Sequence, residues 1–235
     1  MSASTLKSLW YRLCRWVCRI FCTVCFDFRI YGTENLPRRG GFLLVSNHQS
    51  FFDPVFCGVF INRRLHYLAR DTLFTNRFFG WFIRLLNAIP VKRGRADVGA
   101  VKKAIEKLQT GQALCLFPEG TRTYDGRIAP LRPGFGLLCR RTKVPVVPMV
   151  IDGAFEAWPR HRVLPSLARR IVVCYGKPIH VEAARHLDER QLVRRLTQIL
   201  RQMHNICRKR HGRKPYDYSE ESAEMTEPPA EMKNG

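Results

Sequence analysis

Acidic residues are scarce in this chain: 19 Asp and Glu stand against 40 Lys and Arg in 235 residues, for a formal charge of +21. Six of those acids fall from Asp217 onward beside one base, so residues 1–216 carry 39 bases against 13 acids, or +26. Such a field excludes a basic partner and draws polyanions, either nucleic acid or an anionic bilayer leaflet. Long apolar runs are missing as well. No window approaches twenty uncharged apolar residues, which argues against a multi-span membrane protein, while 46% hydrophobic and 11% aromatic residues exclude a disordered chain. A cleavable secretory signal, internal repeats, a second Cys or His pair at zinc spacing and an aromatic RNA-binding signature are absent too. Nine scattered cysteines without a signal indicate a reducing compartment, not a disulfide framework. The basic charge therefore has no nucleic-acid reading module behind it, and no nucleic-acid partner is expected.

Residues 6–28 have helical periodicity, with Leu9, Leu13, Trp16, Val17, Ile20, Phe21 and Val24 on one face and Arg12, Arg15 and Arg19 on another. A spanning orientation would bury those arginines at about 2.5–3.5 kcal/mol each near the bilayer centre, so docking in the interface is favoured. A helix packed against its own domain fits the same pattern. Cys14, Cys18, Cys22 and Cys25 share one helix and cannot surround a tetrahedral metal, so they read as small apolar side chains.

From Gly41 onward the pattern alternates between α and β. Strands are predicted over 41–46, 65–69, 88–91, 113–117, 144–151 and 171–175, and helices over 54–62, 76–86, 97–109, 133–141 and 188–207. Asp97 supplies an N-cap and Gly111 a stop for the third of these helices. Three segments follow: an N-terminal membrane-associating helix over 1–30, one α/β domain over 31–207, and a disordered tail over 208–235, basic and then acidic.

Two polar turns leave predicted strands. In Ser46-Asn47-His48-Gln49-Ser50-Phe51-Phe52-Asp53, a carboxylate five residues after His48 is able to fix one imidazole nitrogen and leave the other to take a proton. A structural cap is the alternative, and His66 with Asp71 repeats the same interval inside a strand, so spacing alone does not decide. In Phe117-Pro118-Glu119-Gly120-Thr121-Arg122, glycine permits a tight backbone, threonine offers a hydroxyl, and arginine a planar fork for phosphate oxygens. A surface turn with a local ion pair is the bland reading. Pro90-Val91-Lys92-Arg93 again sets bases just past an apolar run. Cys57 and Cys115 lie in apolar runs and read as core.

Taken in order, these segments resemble the glycerolipid acyltransferase family over residues 41–153. Asn47 to Asp53 looks like its first block, Phe117 to Arg122 its third, and Val144 to Val150 its fourth, while Lys92 before Arg93 departs from the second. The resemblance implies a single domain with a central mixed sheet flanked by helices. It implies His48 as general base and Asp53 as its partner. Acceptor binding then falls to Arg93, Glu119, Gly120, Thr121 and Arg122, with Arg70 as a further phosphate contact. The implied reaction carries an acyl group from acyl-CoA or acyl carrier protein to the sn-2 hydroxyl of 1-acylglycerol 3-phosphate; another lysolipid or glycerol 3-phosphate stays open as acceptor. No metal or bound cofactor is called for. The expected setting is an anionic membrane surface at the cytoplasmic face of the cell membrane.

Overall fold

The apolar run Phe42–Ser46 forms β2, and every residue in it is buried. A strand covered on both faces reads as continuous hydrophobicity, which marks it as central to a sheet. In the computed structural model, which describes residues 3–92, 97–132, 134–180 and 187–219, this strand is fourth of seven. The others are β1 (Asp27–Tyr31), β3 (Leu65–Arg70), β4 (Ala88–Val91), β5 (Ala113–Leu116), β6 (Val146–Asp152) and β7 (Arg170–Tyr175), in the spatial order β1-β7-β6-β2-β5-β3-β4. Five neighbouring strands, β6, β2, β5, β3 and β4, run parallel, whereas β7 opposes β6 and carries β1 parallel to itself. The sheet is therefore mixed, as the family resemblance implied.

Helices cover both faces. Alternate side chains of β2 point opposite ways, so Leu43 and Val45 join one core with Ala104, Leu138 and Leu196, and Phe42 and Leu44 join another with Cys22, Phe56 and Cys57. The first core lies under α4 (Val98–Gln109), α5 (Gly134–Thr142) and α7 (Glu189–Arg210); the second lies under α1 (Ala3–Cys25) and α2 (Asp53–Gly58). Helix α3 (Arg77–Leu85) leads into β4, and the short α6 (Ala154–Ala157) follows β6. Local chemistry sets several ends. Asp97 accepts the Ala100 N–H at 2.9 Å, Asn76 accepts that of Phe79 at 2.9 Å, and Asp188 with Gln191 closes a capping box. Gly111, at φ 80°, ends α4 in the left-handed region.

Four expectations need correction. Helix α1 stops at Cys25 instead of 28, because the period-two segment Asp27-Phe28-Arg29-Ile30-Tyr31 pairs with β7 as an edge strand. Helix α2 ends at Gly58, short of 62. The disordered tail expected from Arg208 is instead packed on the domain as far as Tyr218. Arg208 and Arg213 donate to buried Asp152 at 2.7 and 2.6 Å, and Asn205 exchanges two hydrogen bonds with the Tyr216 backbone. Finally, Cys174 on β7 and Cys207 on α7 are joined across the sheet–helix contact, 33 residues apart in sequence and 7.4 Å between Cα atoms. No local spacing announces a pair brought together by tertiary packing; the seven other cysteines are free.

Helix α1 also has a face that its sequence left open. Its cysteine side and Tyr11 pack on the domain, while Leu6, Leu9, Leu13, Trp16, Val17, Ile20 and Val24 stand exposed. Arg15 turns inward and donates to the Ile61 carbonyl at 2.6 Å, and Arg19 lies over the Phe60 ring. Among the described residues no helix is long and apolar enough to cross a membrane.

Candidate active site

Strands β2 and β5 are adjacent and parallel, with Val45 opposite Leu116, so the turns leaving them emerge side by side. That is the usual place for a site in an open α/β sheet. Asn47 anchors the first turn to β6: its amide donates to the Ile151 carbonyl at 2.9 Å and accepts the Ile151 N–H at 2.8 Å. Gln49 does the same work farther out, donating to Gly126 O at 3.0 Å and accepting from Phe155 N at 3.3 Å. Ser50 donates its hydroxyl proton to the Trp158 carbonyl.

Within this frame Asp53, wholly buried at the start of α2, uses Oδ2 to accept from His48 Nδ1 at 2.7 Å, Gln49 N at 2.5 Å and Ser50 N at 2.7 Å. Two backbone donors fix the carboxylate, and the carboxylate fixes the ring. The proton is assigned to Nδ1 by that network, which leaves the Nε2 lone pair as the basic position. The His48 side chain is 18% exposed, and Phe117 stacks on the ring at 4.2 Å and 19°. His48 is thus reachable from one side and covered on a face.

The second turn clasps the first through its backbone. Glu119 Oε1 accepts the His48 N–H at 2.7 Å, and Thr123 N–H donates to His48 O at 2.8 Å. Glu119 Oε2 accepts from Ala129 N at 3.0 Å. Burial drives the Glu119 carboxyl up to about 8 against the lowering effect of the Ala129 and His48 amides. Its place is therefore behind the His48–Asp53 pair as a buried brace. Gly120 has φ 73°, and a Cβ there would meet Arg132 Nε at 2.5 Å, so the turn requires glycine. Thr121 accepts from Arg160 at 3.5 Å, and the Arg122 guanidinium lies 3.4 Å from the centre of the Phe51 ring.

Of the remaining predicted ligands, Arg70 sits to one side. Arg70 ends β3 and pairs in register with Val91 of β4, two strands from β2 and about 10 Å across the sheet. Arg93 lies outside the described residues. His66 is mid-strand in β3, and Asp71 accepts the Thr72 N–H at 2.9 Å, which suits a scaffold. Cys57 and Cys115 are buried, and burial pushes the Cys57 thiol well up.

Sequence reasoning missed the support behind Glu119. Tyr218 accepts the Ile128 N–H at 3.0 Å, Arg201 donates to the Ile128 carbonyl at 3.1 and 3.0 Å, and the next residue, Ala129, holds Glu119. Arg201 and Tyr218 lie 73 and 90 positions beyond Ile128, where no spacing rule reaches.

Comparison with known proteins bears on the same stretch. The 1-acyl-sn-glycerol-3-phosphate acyltransferase of Bacillus subtilis is 26% identical over 193 residues, covering 82% of this chain and 94% of its own. The chloroplastic 1-acyl-sn-glycerol-3-phosphate acyltransferase of Arabidopsis thaliana is 31% identical over 160 residues, covering 66% of this chain and 44% of its own, so the chain spans less than half of that relative. The crystal structure of the 1-acyl-sn-glycerophosphate acyltransferase PlsC from Thermotoga maritima superposes with a TM-score of 0.73 at 24% identity, over 86% of this chain and 82% of that one, and shares the fold. The profile of the family described as Acyltransferase matches residues 27–152, from β1 to the end of β6. That span exceeds half the chain and holds both turns, the His48–Asp53 pair and its Glu119 brace, and so the chain belongs to the acyltransferase family.

Proposed function

We propose that this chain transfers a fatty acyl group from an acyl-CoA or acyl carrier protein thioester to the sn-2 hydroxyl of 1-acylglycerol 3-phosphate, forming phosphatidate for phospholipid synthesis. The observation that carries the reading is His48 held by buried Asp53 at 2.7 Å with Nε2 left toward the accessible side. Support comes also from the names of the relatives and from the family profile, which spans both turns.

The reaction is a direct displacement. His48 Nε2 removes the acceptor hydroxyl proton as that oxygen attacks the thioester carbonyl; the carbon–sulfur bond then breaks and the leaving thiolate takes the proton back from the imidazolium. Asp53 stabilises the imidazolium, and two backbone N–H groups keep its own charge in place. Arg122, Thr121 and the backbone of Gly120 receive the acceptor phosphate beside His48, with Arg70 on the β3 side and Arg93 as the further phosphate ligand that the family resemblance implies. The acyl donor is a co-substrate, and the scheme asks for no bound cofactor.

Acceptor and product are amphiphiles, so the site must work at a lipid surface. The exposed apolar face of α1, on a chain of charge +21, docks to an anionic leaflet at the cytoplasmic side. The test is turnover of the purified full chain in lipid micelles with acyl-CoA and lysophosphatidate, wild type against His48→Ala. A loss of at least about a thousandfold is expected for removing a positioned general base. Equal turnover by the two proteins rejects the assignment.

A further inference from the structure

Between α6 and β7 the chain makes a loop, Trp158 to Arg169, whose first residues meet both polar turns, Trp158 O accepting from Ser50 and Arg160 donating to Thr121. Its tip is apolar and faces outward: Val163 is 86% exposed, Leu164 73% and Leu167 48%. Scattered apolar residues on a surface are ordinary, but these three are held out by a built loop. Trp158 Nε1 donates to the carbonyls of Arg162 and Val163 at 3.1 and 3.2 Å, and Ser166 N donates to Ala157 O at 2.7 Å. Ala168 N–H donates to the carbonyl of Cys25, the last residue of α1, at 2.7 Å. The tip is thereby tied to the end of the helix whose apolar face also stands exposed.

Charge points the same way. Arg160, Arg162 and Arg169 flank the tip, and no acidic residue occurs in the sequence from Ala157 to Val181, while Arg170 is paired with Asp27 at 2.6 Å. An apolar point flanked by bases complements one surface above others, that of a bilayer with anionic headgroups. The loop also touches the site. Trp158 packs on Phe51 and Phe52 at 4.8 and 4.9 Å between ring centres, Phe52 reaches Phe21 of α1 at 5.8 Å, and Phe51 carries the Arg122 guanidinium.

We infer that the Val163–Leu164–Leu167 tip is a second bilayer contact, inserting into an anionic leaflet beside α1 so that the aromatic lip of the His48 turn opens onto lipid. This deepens, and rests on, the reading of the chain as a lysolipid acyltransferase. A lysolipid would then pass from the leaflet along Phe51 and Trp158 with its phosphate among Arg122 and Arg160, without crossing water.

The test uses the full chain and vesicles of phosphatidylcholine with and without phosphatidylglycerol, free of substrate. Replacing Val163→Asp with Leu164→Asp should weaken co-sedimentation with the anionic vesicles by about tenfold or more while circular dichroism and Tm stay unchanged. In a separate Leu164→Trp variant, lipids with brominated chains should quench emission beyond the wild-type level. Equal sedimentation of wild type and the double variant overturns the inference, as does an unquenched Trp at 164. A lipid-free wild type that is dimeric by light scattering, becoming monomeric in the double variant, overturns it in favour of a second copy as the occupant. Because binding is read without turnover, an inactive wild type that still sediments and quenches would count against the acyl-transfer reading and leave the loop contact standing.

Discussion

Two histidine–carboxylate pairs occupy the ends of neighbouring strands in this molecule. His48 with Asp53 follows β2, and His204 with Asp152 closes β6 at 3.1 Å. Both carboxylates are wholly buried, yet their company differs. Asp53 takes its other hydrogen bonds from two neutral backbone amides, so the imidazole is its one ionisable partner in that network. Asp152 is shared with Arg208 and Arg213. Burial works against its charge, but the His204 hydrogen bond, Arg213 and Arg208 outweigh it and hold the carboxyl below its ordinary range. His204 is sealed, and His48 is not. An imidazole next to a carboxylate is thus no signature by itself: access to the second nitrogen and the absence of competing cations separate a base from a structural tie.

Three substitutions test that contrast. The largest effect belongs to Asp53→Asn, which should lower kcat by about a thousandfold, since a neutral amide neither fixes the productive tautomer nor stabilises the imidazolium. Its Tm should move little, and kcat within threefold of wild type would break the contrast. Asp152→Ala leaves two arginines facing a buried gap and should cost about 3 kcal/mol in urea unfolding. Turnover per folded molecule should stay near wild type; a kcat loss matching that of Asp53→Asn would make the second pair part of the chemistry. The smallest effect sharpens the role of Glu119. Its carboxyl rises from 4.5 to about 8 in the folded chain. The unfolded chain therefore releases a proton that the folded one retains between those values. The Glu119 contribution to stability is fully present below pH 4.5, declines through that window by at most about 1.4 kcal/mol per pH unit, and levels off above it. In Glu119→Gln this component of the decline should vanish from denaturation curves taken at pH 5, 6.5 and 8.5; an unaltered slope would place the proton elsewhere.

Much of this arrangement was legible locally. Apolar runs located six of the seven strands, most plainly β2, β5 and β6, whose near-complete burial leaves few polar interruptions. The Asp97 cap and Gly111 stop set α4 to within a residue. His48 and Asp53 meet as their five-residue interval allowed, since the chain turns into α2 between them. Strand β1 escaped notice because it begins one residue after α1, where helical spacing masks the alternation. What holds the site escaped for a different reason. Asn47 pairs with Ile151 across 104 residues, and Tyr218 reaches Ile128 across 90. Such contacts are products of topology, so neither composition nor interval foreshadows them. The same holds for the segment after Arg208: its bases look like a solvated end until their buried counter-charge, Asp152, is seen.

The hydrogen bond from the His48 amide to Glu119 joins residues 71 apart. Closing so wide a loop costs entropy before the contact returns anything, which makes it a late event on the folding route. A chain emerging from the ribosome N-terminus first completes β3, β4 and α4 before Glu119 exists to hold the His48 turn. The two polar turns are therefore fixed against each other only once β2 and β5 have paired.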